Sequence, residues 1–157
     1  MDEHADEPIG LGTALVRTSF LVDAEYTEAA REKDLTVQQG QLLCVLIARP
    51  YGMFELAKTL GVAKSSISGL VDRTAKRDLV RREADPGDGR AFRVALTAKG
   101  AQLAEELHAE ITRRVADLSH DLSESERDTL TGLLARVVAG NGVPEVFTEC
   151  PNAACGE

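Results

Sequence analysis

Between Ala57 and Leu96 the chain carries a succession of residues that few folds accommodate. Two helices that cross over a tight turn need a small residue at the crossing, a glycine in the turn and a branched apolar residue to lock the second helix. Ala57, Gly61 and Ile67 supply these at spacings of four and six. Short helices are expected over Phe54 to Leu60 and Lys64 to Arg77, with Gly61 as the stop of the first. Leu79 to Ala84 and Phe92 to Leu96 then read as strands, the second alternating Phe92, Val94 and Leu96 against Arg93 and Ala95. The hexapeptide between them, Asp85-Pro86-Gly87-Asp88-Gly89-Arg90, is rich in turn formers and closes a hairpin.

A hairpin directly after a helix-turn-helix is a winged helix, so the expected fold is mainly α, of the α+β winged-helix type. The charge distribution says what such a module would meet. The 157 residues sum to a formal −8, which excludes a protein that coats nucleic acid indiscriminately. Ten of the eighteen Lys and Arg residues nevertheless fall between Lys58 and Lys99, against five acidic ones, giving that segment +5 and the remainder −13. A basic module set in an acidic frame points to a specific polyanion.

Within the second helix of the pair, 100° per residue puts Ile67, Leu70, Val71 and Thr74 on one narrow side. Ser65, Gly69, Asp72 and Lys76 point the opposite way, flanked by Ser66, Ser68 and Arg73. Short polar side chains let a helix enter a major groove without clashing. Lys64, Arg73 and Lys76 are long enough to reach phosphates or guanine edges. Arg90 at the hairpin tip suits a minor groove, whose narrowness concentrates negative potential, and Asp88 is placed to orient it.

The helices on either side need a partner. Leu11, Leu15, Thr18, Val22 and Tyr26 form the stripe of a first helix that ends near Lys33-Asp34. Thr36 and Gln39 form a capping box that opens an apolar helix running to about Ala48. Gly40 inside it costs about 1 kcal/mol relative to Ala, which implies a close neighbour. Thr97 caps a long helix striped by Leu103, Leu107, Ile111, Val115 and Leu118. Ser123 and Glu126 form a second capping box for a helix carrying Leu130, Leu133, Leu134, Val137 and Val138 to Gly140. These stripes exceed what one lobe of about 80 residues can cover, so a second copy is expected to bury them.

Leu35-Thr36 with Gln39 and Leu43, the run Lys64 to Arg73, Leu79-Val80-Arg81-Arg82, Asp85-Pro86 with Asp88 and Arg90, and Val94-Ala95-Leu96-Thr97 with Gly100 together resemble the MarR family of bacterial transcriptional regulators. The correspondence runs over about residues 9 to 140. The resemblance implies a homodimer with interlocked helical regions at 9–34 and 98–140 and a DNA-binding winged helix at 35–97. It also implies a pseudo-palindromic double-stranded DNA operator, and repression relieved by a small, often aromatic, ligand. Carried over position by position, it assigns Ser65, Ser66, Ser68, Gly69, Asp72 and Arg73 to the recognition helix and Arg90 to the wing. Many members have a second wing arginine where this chain has Gly89, and the peroxide-sensing members have a cysteine early in the first helix that is absent here. The effector walls it suggests include Arg17, Phe20, Gln39 and Leu43.

Other functions are weaker on the residues alone. One alternative is a winged-helix dimer used as a protein-interaction module, and another a redox-responsive regulator acting through Cys44. Cys44 sits between Leu43 and Val45 and reads first as a small core residue. Cys150 and Cys155 in an irregular tail (141–157) are spaced for a disulfide or a share in a metal site, but no histidine lies within twenty-five residues and no second pair exists. The acidic leader (1–8) reads as an arm, and His4, His108 and His120 are scattered and lack metal-ligand spacing. No nucleophile elbow, zinc-protease helix or phosphate-binding loop is present in the sequence, so neither an enzyme nor a cofactor is expected. No apolar run approaches the roughly 20 residues of a membrane span, and a cytoplasmic protein is expected.

Overall fold

The computed structural model describes residues 8–143. Six helices and three strands follow one another as α1 (Leu11–Glu32), α2 (Val37–Leu46), β1 (Tyr51–Gly52), α3 (Met53–Leu60), α4 (Lys64–Ala75), β2 (Val80–Asp85), β3 (Asp88–Leu96), α5 (Ala98–Asp117) and α6 (Glu124–Gly140). Both predicted capping boxes form: Thr36 with Gln39 opens α2, and Ser123 with Glu126 opens α6. The acidic leader but for Pro8, and residues 144–157 with Cys150 and Cys155, lie outside the described residues.

One apolar core joins the first and last thirds of the chain to the middle. Tyr26, Ala29 and Ala30 of α1, Leu42, Leu43 and Leu46 of α2, and Ala104, Leu107 and Ile111 of α5 pack together, and Leu56, Ile67, Leu70, Val71 and Val94 continue the core into the winged helix. The close neighbour implied by Gly40 is there. A Cβ at that position would stand 3.2 Å from Leu107 Cδ2, 3.4 Å from the Tyr26 ring and 3.5 Å from the Ala30 methyl.

The three strands form an antiparallel sheet in the order β1-β3-β2. β1 is an element the sequence reading lacks: Tyr51 pairs with Val94 and Gly52 with Arg93. Two residues after a proline carry no period-two signal, so only the finished sheet reveals them. The hairpin differs in extent as well. β3 starts at Asp88 rather than Phe92, and Asp85 pairs with Asp88 across Pro86-Gly87. The register shifts between Ala84, paired with Phe92, and Asp85, so Gly89, Arg90 and Ala91 form an irregularity in β3. Helices α2 and α4 each end two residues earlier than expected, α4 because Asp78 takes a left-handed φ of 59° and turns the chain toward β2.

Candidate nucleic-acid interface

The helix-turn-helix is held by its turn. Gly61 adopts φ 64°, and the amide of Val62 donates to the Ala57 carbonyl at 3.0 Å, which closes α3 in a Schellman-type stop. A side chain at Gly61 would meet no neighbour, so the left-handed backbone, rather than space, calls for glycine there. From this turn α4 lays Ile67, Leu70, Val71 and Thr74 into the core, as its periodicity predicts. Thr74 satisfies its buried hydroxyl by donating to the Leu70 carbonyl at 2.7 Å.

The opposite side of α4 is solvent-facing. Lys64, Ser65, Ser66, Ser68, Asp72, Arg73 and Lys76 are exposed, and Gly69 is half-buried because the Arg73 guanidinium folds over it, with Nη1 3.1 Å from where a Cβ would lie. No side chain caps the first turn of α4 and no acid lies within it, so its free amides keep their positive potential. Lys64 Nζ stands 4.6 Å from the centroid of the Phe54 ring, which is 65% exposed. Phe54 is a surface residue that sequence reasoning did not single out, since a lone aromatic at a helix start reads as core.

Electrostatics separates two sets among the basic residues of α4 and the hairpin. Glu83 receives Arg93 Nε at 2.7 Å and Arg81 Nη2 at 3.2 Å, and Asp72 receives Arg82 Nη2 at 2.8 Å. Those three arginines brace the sheet and tie β2 to α4. Asp72 is thus engaged by a residue ten positions away on another element, a partner that the helical projection alone could not identify. By contrast Lys64, Arg73, Lys76 and Arg90 make no ion pair among the described residues. Four uncompensated cations therefore line the outward face of α4 and the wing.

Arg90 lies in the irregular stretch of β3, exposed, at the kind of strand irregularity that re-aims a side chain. Asp88 acts on it through the backbone: its Oδ1 accepts from the Arg90 amide at 3.0 Å. Asp85 Oδ1 accepts from the Gly87 amide at 2.8 Å, so both wing carboxylates shape the turn.

The remaining expected positions fall elsewhere. Leu43 is wholly buried and Gln39 serves the α2 capping box, whereas Phe20 is 70% exposed on α1. Cys44 is 4% exposed, and burial pushes its thiol up to about 11, with Tyr26 alongside opposing the shift. A thiol so disfavoured as thiolate is a poor redox sensor. No group of three His, Cys, Asp or Glu residues suited to a metal occurs among the described residues, and none of the described helices is long and apolar enough to cross a membrane.

Comparison with known proteins agrees with this geometry. A family model described as the MarR family matches residues 33–91, from the end of α1 into the wing. The HTH-type transcriptional repressor NicR of Pseudomonas putida is 33% identical over 117 residues, 73% of this chain and 73% of its own length. A cysteine-to-serine mutant of MarR from E. coli superposes with a TM-score of 0.75 at 29% identity, over 85% of this chain and 99% of that one. The same mutant complexed with operator DNA gives 0.64 at 28% identity, over 82% and 93%. Such proteins are transcription regulators and not enzymes. With its helix-turn-helix, its hairpin wing and a relative one-third identical over most of both chains, the protein belongs to the MarR family and is a transcriptional regulator with a DNA-binding winged helix.

Proposed function

We propose that the protein is a homodimeric repressor that reads a pseudo-palindromic duplex operator and is relieved by a small-molecule ligand. In this reading residues 35–97 form the DNA-binding region, and residues 9–34 and 98–140 join two copies. The observation that carries it is the four exposed cations without an ion pair among the described residues, Lys64, Arg73 and Lys76 on α4 and Arg90 on the wing, in a protein whose total charge is −8. α4 enters the major groove, where the short side chains of Ser65, Ser66, Ser68 and Gly69 permit close approach. Lys64, Arg73 and Lys76 reach phosphates and base edges, and Arg82 holds Asp72 out of conflict with the polyanion. Arg90 enters the adjacent minor groove.

The dimer is supported by what the single chain leaves uncovered. No residue of α6 is buried, and Leu130, Leu133, Leu134, Val137 and Val138 are 40–53% exposed. Leu11 and Leu15 face them across an apolar groove of about 650 Å³. A second copy would bury these faces and set the two recognition helices roughly 34–36 Å apart. Relief of repression requires a ligand that binds the DNA-competent and DNA-incompetent arrangements with different affinity.

Selection of the purified dimer on a random duplex library, followed by a salt series on the best sequence, tests this reading. Enrichment of an inverted repeat is expected, with a log–log salt slope of about −7 to −9 for eight to ten phosphate contacts. A slope near zero would sink it. Replacing Arg73 and Arg90 by Ala should abolish operator binding while leaving the dimer intact, whereas a protein-interaction module would keep its partner.

A further inference from the structure

We propose that Arg77 is the positioning residue that sets the separation of the two recognition helices, and thereby the half-site spacing the dimer accepts. The inference rests on the dimeric, DNA-binding reading above and concerns a residue that faces neither DNA nor the partner copy in that reading. α4 ends at Ala75, and the segment Lys76 to Leu79 that follows is gripped from two sides. On one side Arg77 Nη1 donates to the Asp34 carbonyl at 2.5 Å and stands 3.5 Å from Gln39 Oε1. Asp34, with φ 54°, is the residue that turns the chain out of α1. Gln39 Oε1 also accepts from the Thr36 amide at 3.1 Å, closing the first turn of α2. One guanidinium therefore joins the end of the recognition helix to the corner between α1 and α2.

The other grip comes from α5. Lys99 Nζ donates to the Arg77 carbonyl at 3.1 Å, and Thr97 Oγ1 donates to the Asp78 carbonyl at 2.6 Å. The Thr97 amide donates to the Leu79 carbonyl at 3.1 Å. Asp78 takes a left-handed φ of 59°, which aims these successive groups at the first turn of α5. Arg77 is the one residue in the segment that contributes to both grips, with its side chain toward α1 and its carbonyl toward α5. The apolar contacts of Ile67, Leu70 and Val71 bury the face of α4, and the hydrogen bond from Arg77 Nη1 adds a directional tie at its C-terminal end, beside the Arg82–Asp72 pair on its β2 side.

Leverage makes the junction matter. α4 is 12 residues long, about 18 Å at 1.5 Å per residue, and its groove-facing residues extend to its far end. A tilt of about 5° at the junction moves that end by about 1.5 Å. The two-fold axis doubles the change to about 3 Å, close to the roughly 3.4 Å rise of one base pair. An Arg77 that holds the angle thus determines which spacing fits.

The test uses full-length protein and duplexes carrying the selected inverted repeat, with spacers one and two base pairs shorter and longer. Wild type should bind one spacing best and lose about tenfold or more at its neighbours. Arg77→Met should remain dimeric and keep the same half-site sequence preference, yet discriminate adjacent spacings by no more than about threefold. Arg77→Lys, which keeps the charge and a donor nitrogen on a flexible stem, should fall between the two. A wild-type spacing profile in either variant, or a loss of affinity equal at all spacings, overturns the proposal. Failure of the wild type to select any inverted repeat would instead overturn the DNA-binding reading on which it rests.

Discussion

At the residue scale, Gly100 shows how close two elements come. A Cβ there would lie 1.8 Å from the Leu79 carbonyl oxygen and 2.7 Å from its carbon, both backbone atoms that cannot swing aside. Gly100→Ala must push the start of α5 away from Leu79, just before β2, and is expected to cost about 2 kcal/mol or more, read as a lower urea midpoint at unchanged slope. An unshifted midpoint would show that the two backbones part freely. Cys44 gives a second prediction. Its thiol is raised from an ordinary value near 9 to about 11 by burial, so the folded state holds a proton that the unfolded state releases. Stability from this group is complete below about pH 9 and is lost as pH rises toward 11. Tyr26, raised first by burial and then by Cys44, acts with the same sign at higher pH. Urea unfolding over that range should show Cys44→Ala with a shallower alkaline decline than wild type; parallel declines would mean that the thiol does not contribute.

At the element scale, α1 and α5 are joined by charge as well as by packing. Glu110 accepts from Arg114 Nε at 2.6 Å and Arg113 Nη2 at 2.8 Å, and Arg114 reaches on to Glu32 of α1 at 2.5 Å. Hydrogen bonds from Arg113 and Arg114 lower the Glu110 carboxyl to about 2. A depressed carboxyl stabilises the fold above its ordinary value of 4.5, and its contribution disappears as pH falls through about 2. Glu110→Gln should therefore flatten the acid limb of the stability profile between those values, measured by denaturant unfolding; a limb as steep as that of wild type would assign the acid sensitivity to other carboxylates. The helices were the legible elements, because Thr36, Gly61, Thr97 and Ser123 are stop and start signals that act locally. β1 was illegible because its pairing depends on residues distant in sequence, as with Tyr51 and Val94, and the shift between Ala84 and Asp85 because an irregular register breaks the period-two pattern from which a strand is read. For the same reason the outward set of α4 could be projected from spacing, while the capture of Asp72 by Arg82 could not.

At the scale of the whole molecule, the distribution of exposure separates the residues that form the core from those that a second copy would cover in the proposed dimer. Tyr26, Ala29 and Ala30 in the second half of α1 are buried, whereas Leu11, Leu15, Val16, Phe20 and Leu21 in the first half are 40–77% exposed, matching the wholly uncovered α6. A charge placed on α6 should therefore spare the fold and break only the association. Leu133→Glu is expected to keep a helical circular dichroism spectrum while sedimenting as a monomer. Its operator affinity should fall about a hundredfold or more, since each half-site is then bound without the effective concentration that the second supplies. Arg90→Ala should leave the dimer intact and reduce the salt slope by about one for each subunit. The two variants separate the halves of the function: one keeps the cations and loses the geometry, the other keeps the geometry and loses a cation. If Leu133→Glu remained dimeric, the apolar face of α6 would have to be covered by something other than a second copy, and the pairing of two recognition helices would need another origin.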